Sequence, residues 1–148
     1  MATVNDVLKQ KGSQVFSIGP KASVLDAALL MNEHRIGGLV VLQSNKVAGI
    51  ITERDVLRRV VAQRLDPAEV AVKDVMTLDV YVCKKHVPIE DARSIFKNQR
   101  IRHLPVVDDH GRLEGMISIG DINGWQLNGQ EATITYLKEY LYGEMSGA

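Results

Sequence analysis

A displacement of sixty-five residues lays this chain over itself. VFSI at 15–18 falls on VYVC at 80–83, and Asp26-Ala27 falls on Asp91-Ala92. RIGGLVV at 35–41 falls on RIRHLPV at 100–106. One extra residue in DDHGRLEG then moves the register to sixty-six, and Gly49, Ile51 and Asp55 meet Gly115, Ile117 and Asp121. The lead-ins agree too, TVNDVL (3–8) with AVKDVM (71–76). An internal repeat restricts the fold more than composition does, because each copy must be one supersecondary unit. About sixty residues bury only a marginal core alone. Two such units are therefore expected to pack about a pseudo-twofold axis, leaving two related clefts where equivalent strand ends meet.

Each unit reads as strand, helix, strand, strand, helix. The stretches 15–18 and 80–83 have strand composition. In the second unit Ile89, Ala92, Ile95 and Phe96 recur at helical spacing, which predicts an amphipathic helix with one buried face. GGLVVLQ and HLPVVDD, followed by turn-rich QSNK and DDHGR and then VAGIIT and LEGMIS, predict a hairpin in each unit. Pro105 within such a strand predicts an edge, or a place where something other than a ladder partner meets the backbone. The fold class is α/β (α+β), with two β-α-β-β-α units packed through their sheets. The units divide at 1–66 and 67–127. A C-terminal helix and tail occupy 128–148, where Ile134, Leu137 and Leu141 share a face that packs on the core or on a second copy.

Each hairpin ends in the same short phrase, GIITERDV at 49–56 and GMISIGDI at 115–122. A hydroxyl followed three residues on by an acid is a capping box, and Ser23 with Asp26 needs no other explanation. Thr52 with Asp55, and Ser118 with Asp121, are different in place. Both close a strand and open a helix beside the inferred cleft. A helix start favours an anion such as phosphate, and the hydroxyl can donate to it. The carboxylate only accepts, which suits the diol of a ribose. Together these groups describe a nucleotide. Arg102 and His103 stand where the first unit has Gly37 and Gly38, and they offer charge-assisted bonds to phosphate, with Arg54 as a further candidate. Arg58 and Arg59 read as a solvated helix face. Val15, Phe16, Ile36, Tyr81 and Ile101 would wall a flat base.

Other chemistries find little support. Eighteen basic and eighteen acidic residues cancel without a basic cluster, which argues against nucleic acid. The apolar runs are too short for a membrane span, and MATVNDVLKQKG lacks the apolar centre of a signal peptide. One cysteine, Cys83, fits a reducing, cytoplasmic setting. Four scattered His with that cysteine give no metal-ligand spacing, and no nucleophile–base pair suggests an enzyme. The remaining alternative is a structural or interaction module whose capping boxes only cap.

The repeated G-h-h-[ST]-x-x-D, with DVMT at 74–77, RIGGLVVLQSNKVAGIITERDV at 35–56 and RIRHLPVVDDHGRLEGMISIGDI at 100–122, resembles the tandem cystathionine-β-synthase-type (CBS) domain pair, or Bateman module. The resemblance runs from about residue 3 to 125. It implies a regulatory module that binds AMP, ADP, ATP or NAD(H) as a ligand rather than a catalytic cofactor. It also implies a homodimer and a regulated partner protein, which with no catalytic domain attached here would be another chain. By position, Asp55 and Asp121 would hold riboses, and Thr52 and Ser118 would meet phosphate. Arg102 and His103 would serve the Asp121 cleft, with Val15, Phe16 and Ile36 around its base. The Asp55 cleft would take Tyr81, Ile101 and Thr77. Gly38 departs from the second unit's pattern and would admit a bulkier ligand.

Overall fold

A computed structural model of the chain describes residues 1–12 and 14–128; the helix expected over 134–143 lies outside them. The helices are α1 (Val4–Lys11), α2 (Val24–His34), α3 (Glu53–Val56), α4 (Val72–Val75), α5 (Ile89–Gln99) and α6 (Ile119–Asn128). The strands are β1 (Ser17–Ile18), β2 (Gly38–Gln43), β3 (Lys46–Thr52), β4 (His103–Val107) and β5 (Leu113–Ser118). Helix α3 continues without a break as a π-helical turn over Leu57–Val61. The mixed α+β class agrees with the sequence reading, and so does the repeated element order except that the strand expected at 80–83 does not form.

In the first sheet β1 runs parallel to β2, and β2 pairs with β3 as a hairpin. The second sheet is the hairpin β4–β5, with its first strand reduced to one parallel bridge between Cys83 and Val106. Pro105 explains the reduction. It occupies the position of Val40, which pairs with Ser17 in the first unit. Without an N–H it cannot donate to the 80–82 stretch, and the ladder stops at Cys83. Cys83 is buried, and burial pushes its thiol up to about 12, so it is a packing residue and not a reactive one.

The pseudo-twofold relation is visible in contacts between equivalent residues. Gly38 meets the ring of its own equivalent, His103, and Lys46 bridges Arg112. The bridges Thr3–Pro88 and Ser23–Ala71 are mates of one another. Leu39 and Ile51 in one core, and Leu104 and Ile117 in the other, are all fully buried at matching positions. Each such side chain contributes about 1.5–3 kcal/mol by leaving water.

The lead-in helices are exchanged. Helix α1 precedes the first unit but completes the second core, with Val4, Val7 and Leu8 packed among Ile89, Phe96, Leu104 and Ile117. Helix α4 precedes the second unit but completes the first core, with Val72, Val75 and Met76 among Val24, Leu39 and Ile51. The repeated glycines are the seats for this exchange. A Cβ on Gly49 would lie 2.7 Å from Met76 Sδ and 2.8 Å from the Thr77 carbonyl. A Cβ on Gly115 would lie 2.8 Å from Leu8 Cδ2.

Candidate functional site

The hydroxyl–acid pairs form capping boxes in both units. Thr52 N–H donates to Asp55 Oδ2 at 3.0 Å, and Asp55 N–H donates to Thr52 Oγ1 at 3.3 Å. Ser118 N–H donates to Asp121 Oδ2 at 2.8 Å, and Asp121 N–H to Ser118 Oγ at 3.1 Å. The same box occurs at Thr3 and Asp6, where α1 begins. Capping therefore accounts for the local spacing; what sets Asp55 apart lies around it.

Asp55 is 7% exposed, the one buried charged residue among those described. The Thr77 hydroxyl, brought in by the chain leaving α4, donates to Asp55 Oδ1 at 3.1 Å. Arg59 Nε lies 3.8 Å from the same oxygen, and its Nη1 donates to the carbonyls of Val75 and Met76 at 3.0 and 3.2 Å. Arg59 thus ties the carboxylate to the end of α4 while its side chain stays 52% exposed, as expected of a solvated helix face.

A cavity of about 630 Å³ opens over this carboxylate. Of the residues expected at the Asp55 cleft, Thr52, Arg54, Asp55, Thr77, Tyr81 and Ile101 all line it. Arg102, His103 and Ser118, expected at the Asp121 cleft, line it too. Arg58, Arg100, Glu53 and Asp79 also line it, and the sequence reading had passed over all four for this site. The wall carries four arginines (54, 58, 100, 102) against three carboxylates (53, 55, 79). Among the described residues none of these arginines forms an ion pair, so the cavity favours an anion.

The other expected wall residues stand apart. Val15 lines a separate depression with Arg112 and Glu114. Ile36 lines a groove with Met31, Val56 and Val61. Phe16 stacks on His34, ring centroids 3.7 Å apart. The room expected above Gly38 is filled by His103, whose ring atoms lie 3.3–3.4 Å from where a Cβ would be. Asp121 is not in the cavity wall; its Oδ2 accepts from Lys11 Nζ at 2.6 Å, a partner absent from the sequence reading.

Burial pushes the His103 imidazole below its ordinary pKa of 6.5, and the Lys11 charge pushes the same way, while Asp121 and Glu53 oppose both. The folded chain therefore resists protonation more than the unfolded chain does. The stability from this neutral ring is intact above about pH 6.5 and falls away as the pH drops below it. An anion in the cavity would favour the imidazolium. Binding of a phosphate-bearing ligand is thus expected to be accompanied by proton uptake at this ring. Titration calorimetry in two buffers of different ionisation enthalpy measures the uptake, and His103→Gln should abolish it. Uptake that persists in that variant would place the proton elsewhere.

Among the described residues no cluster of His, Cys, Asp and Glu could hold a metal, and no helix is long and apolar enough to cross a membrane.

Comparison with known proteins extends the geometry. The CBS domain family matches twice, over residues 3–62 and 72–127. A protein with CBS domains from Burkholderia ambifaria is 35% identical, with a TM-score of 0.82 over 87% of this chain and 96% of that one. A CBS domain protein from Pyrobaculum aerophilum, solved in complex with AMP, is 25% identical, with a TM-score of 0.74 over 81% of this chain and 89% of that one. A 17.7 kDa protein of Acidianus ambivalens is 37% identical over 111 residues, 74% of this chain. The chain spans 66% of that relative's length and 56% of that of another, from Methanopyrus kandleri. With two matched units, two small sheets and the exchanged helices between them, the chain belongs to the CBS domain family as a tandem pair.

Proposed function

We propose that this chain is a regulatory module that binds an adenine nucleotide, AMP, ADP, ATP or NAD(H), in the cavity over Asp55. The observation that carries the reading is the convergence, in about 630 Å³, of a buried carboxylate, the hydroxyl residues Thr52, Thr77 and Ser118, apolar walls and unpaired guanidiniums. That volume lies within the range of small-molecule sites. Asp55 would accept from the ribose hydroxyls. Tyr81, Val80 and Ile101 would flank the base. Thr52, Arg54, Arg102, His103 and Ser118 would meet the phosphates. The AMP complex of the Pyrobaculum aerophilum relative supports the ligand class.

Occupancy would be signalled to another protein in a cytoplasmic setting, with no chemistry on the ligand. The cavity draws on both units, so a ligand that prefers one relative angle of the units would shift that angle, with a coupling of about 1–3 kcal/mol. A homodimer would use the outer face of the first unit, where Leu29, Leu57 and Val61 are 57–61% exposed. The matching face of the second unit is polar, with Arg93 donating to Asn123 and Gln126 to Glu90.

Melting curves with AMP, ADP, ATP and NADH test this. A ligand present at a hundred times its Kd should stabilise the fold by about 2.7 kcal/mol. Sedimentation of the same samples reads the dimer, and a monomer throughout would remove that part. A flat response to all four ligands would leave the alternative favoured by the third capping box at Thr3–Asp6, a scaffold in which these motifs only cap.

A further inference from the structure

The two junctions share a plan but receive different groups from their lead-ins. At the first, α4 stops at Val75 and the chain turns extended at Met76. The Thr77 N–H then donates to the Ile50 carbonyl at 2.8 Å, and the Thr77 hydroxyl donates to Asp55. At the second, α1 stays helical to Lys11 and ends at Gly12, whose φ of 96° suits only glycine. Among the described residues no backbone group drops onto β5 as Thr77 drops onto β3. Instead Lys11 Nζ donates to the carbonyl of Met116, the equivalent of Ile50, at 2.8 Å. The same ammonium donates to Asp121 Oδ2 at 2.6 Å, and that oxygen already accepts from Ser118 N–H.

One lysine therefore stands in for both donors of the first junction, and it adds a charge. Asp55 faces a cavity, with the neutral Thr77 hydroxyl as its nearest extra partner and its cation, Arg59, farther off at 3.8 Å. Asp121 is neutralised by an ion pair and is not in that cavity wall. Leu8, seated over Gly115, fixes the helix that carries the lysine.

We infer that Lys11 closes the Asp121 junction from within, so that the chain takes one nucleotide, over Asp55, and Lys11 sets that stoichiometry. The inference rests on the reading of the Asp55 cavity as the nucleotide site. Lys11 is 35% exposed, so its replacement leaves the core intact. Calorimetric titration with AMP on the parent, on Lys11→Met and on Lys11→Met/Asp121→Asn is expected to give one, two and one sites per chain. Lys11→Ala serves as a second probe should the methionine variant aggregate. Two sites on the parent, or a single site on both folded Lys11 variants, overturn the inference. A parent without binding, beside a Lys11→Met protein with one site that Asp121→Asn removes, upholds the closure and overturns the cavity reading. No binding by any of them overturns both.

Discussion

Replacing Asp55 with alanine is expected to weaken nucleotide binding by a factor of about 100 or more. A carboxylate that accepts from both ribose hydroxyls makes two charge-assisted bonds, each contributing about 1.5–3 kcal/mol. Losing about 3 kcal/mol already exceeds a hundredfold change in Kd. The same substitution breaks a capping box and frees the Thr77 hydroxyl, which costs about 0.5–2 kcal/mol of stability. A control separates the two effects. Asp6 makes the same box with Thr3 at the start of α1, away from the cavity. Asp6→Ala should cost comparable stability and leave affinity unchanged. Calorimetry with AMP, paired with urea melts, reads both numbers. Equal affinity for the Asp55→Ala and Asp6→Ala proteins would remove Asp55 from ribose recognition.

The second large effect is on folding. Gly49→Ala is expected to destabilise the chain by about 2–4 kcal/mol, and Gly115→Ala by about 1 kcal/mol. Both glycines stand at the same place in the repeat, but they face different neighbours. The new methyl at 49 would meet the Thr77 carbonyl at 2.8 Å, and that peptide is held by two hydrogen bonds to Ile50. Relief requires breaking them, at about 1 kcal/mol each, on top of overpacking. The methyl at 115 would meet the far end of Leu8, which can rotate. Equilibrium denaturation of the two variants gives the comparison. Equal losses would show that the α4 peptide shifts as readily as a leucine rotamer.

Much of this was legible in the residues. The repeat predicted two units and their element order. Apolar spacing predicted α5, whose buried residues are Ile89, Ala92 and Phe96, with Ile95 half-buried. Thr52 and Asp55 do end a strand and open a helix beside a cavity that also gathers Thr77, Tyr81 and Ile101. What escaped was nonlocal. The exchange of α1 and α4 leaves no mark on periodicity, because each helix shows the same buried stripe whichever core receives it. Lys11 is one of many lysines until α1 is seated on β5. Arg59 is solvated, as its helix face predicts, but nothing in its own helix signals that it also reaches the carbonyls of Val75 and Met76. Gly37 and Gly38, standing where the second unit has Arg102 and His103, predicted unequal clefts with more room above Gly38, but the His103 ring, its own equivalent across the twofold, fills that room.

The exchanged helices also have a consequence for synthesis. Helix α1 leaves the ribosome well before the strand it seats on, more than a hundred residues further along, as the Lys11–Met116 separation of 105 records. The first unit can close as soon as α4 follows it out. Helix α1 must wait as an exposed apolar segment until β5 emerges, and loop closure over such a span slows the last step. Until β5 emerges, a nascent chain of this design carries an unsatisfied hydrophobic arm of the aggregation-prone kind that chaperones cover.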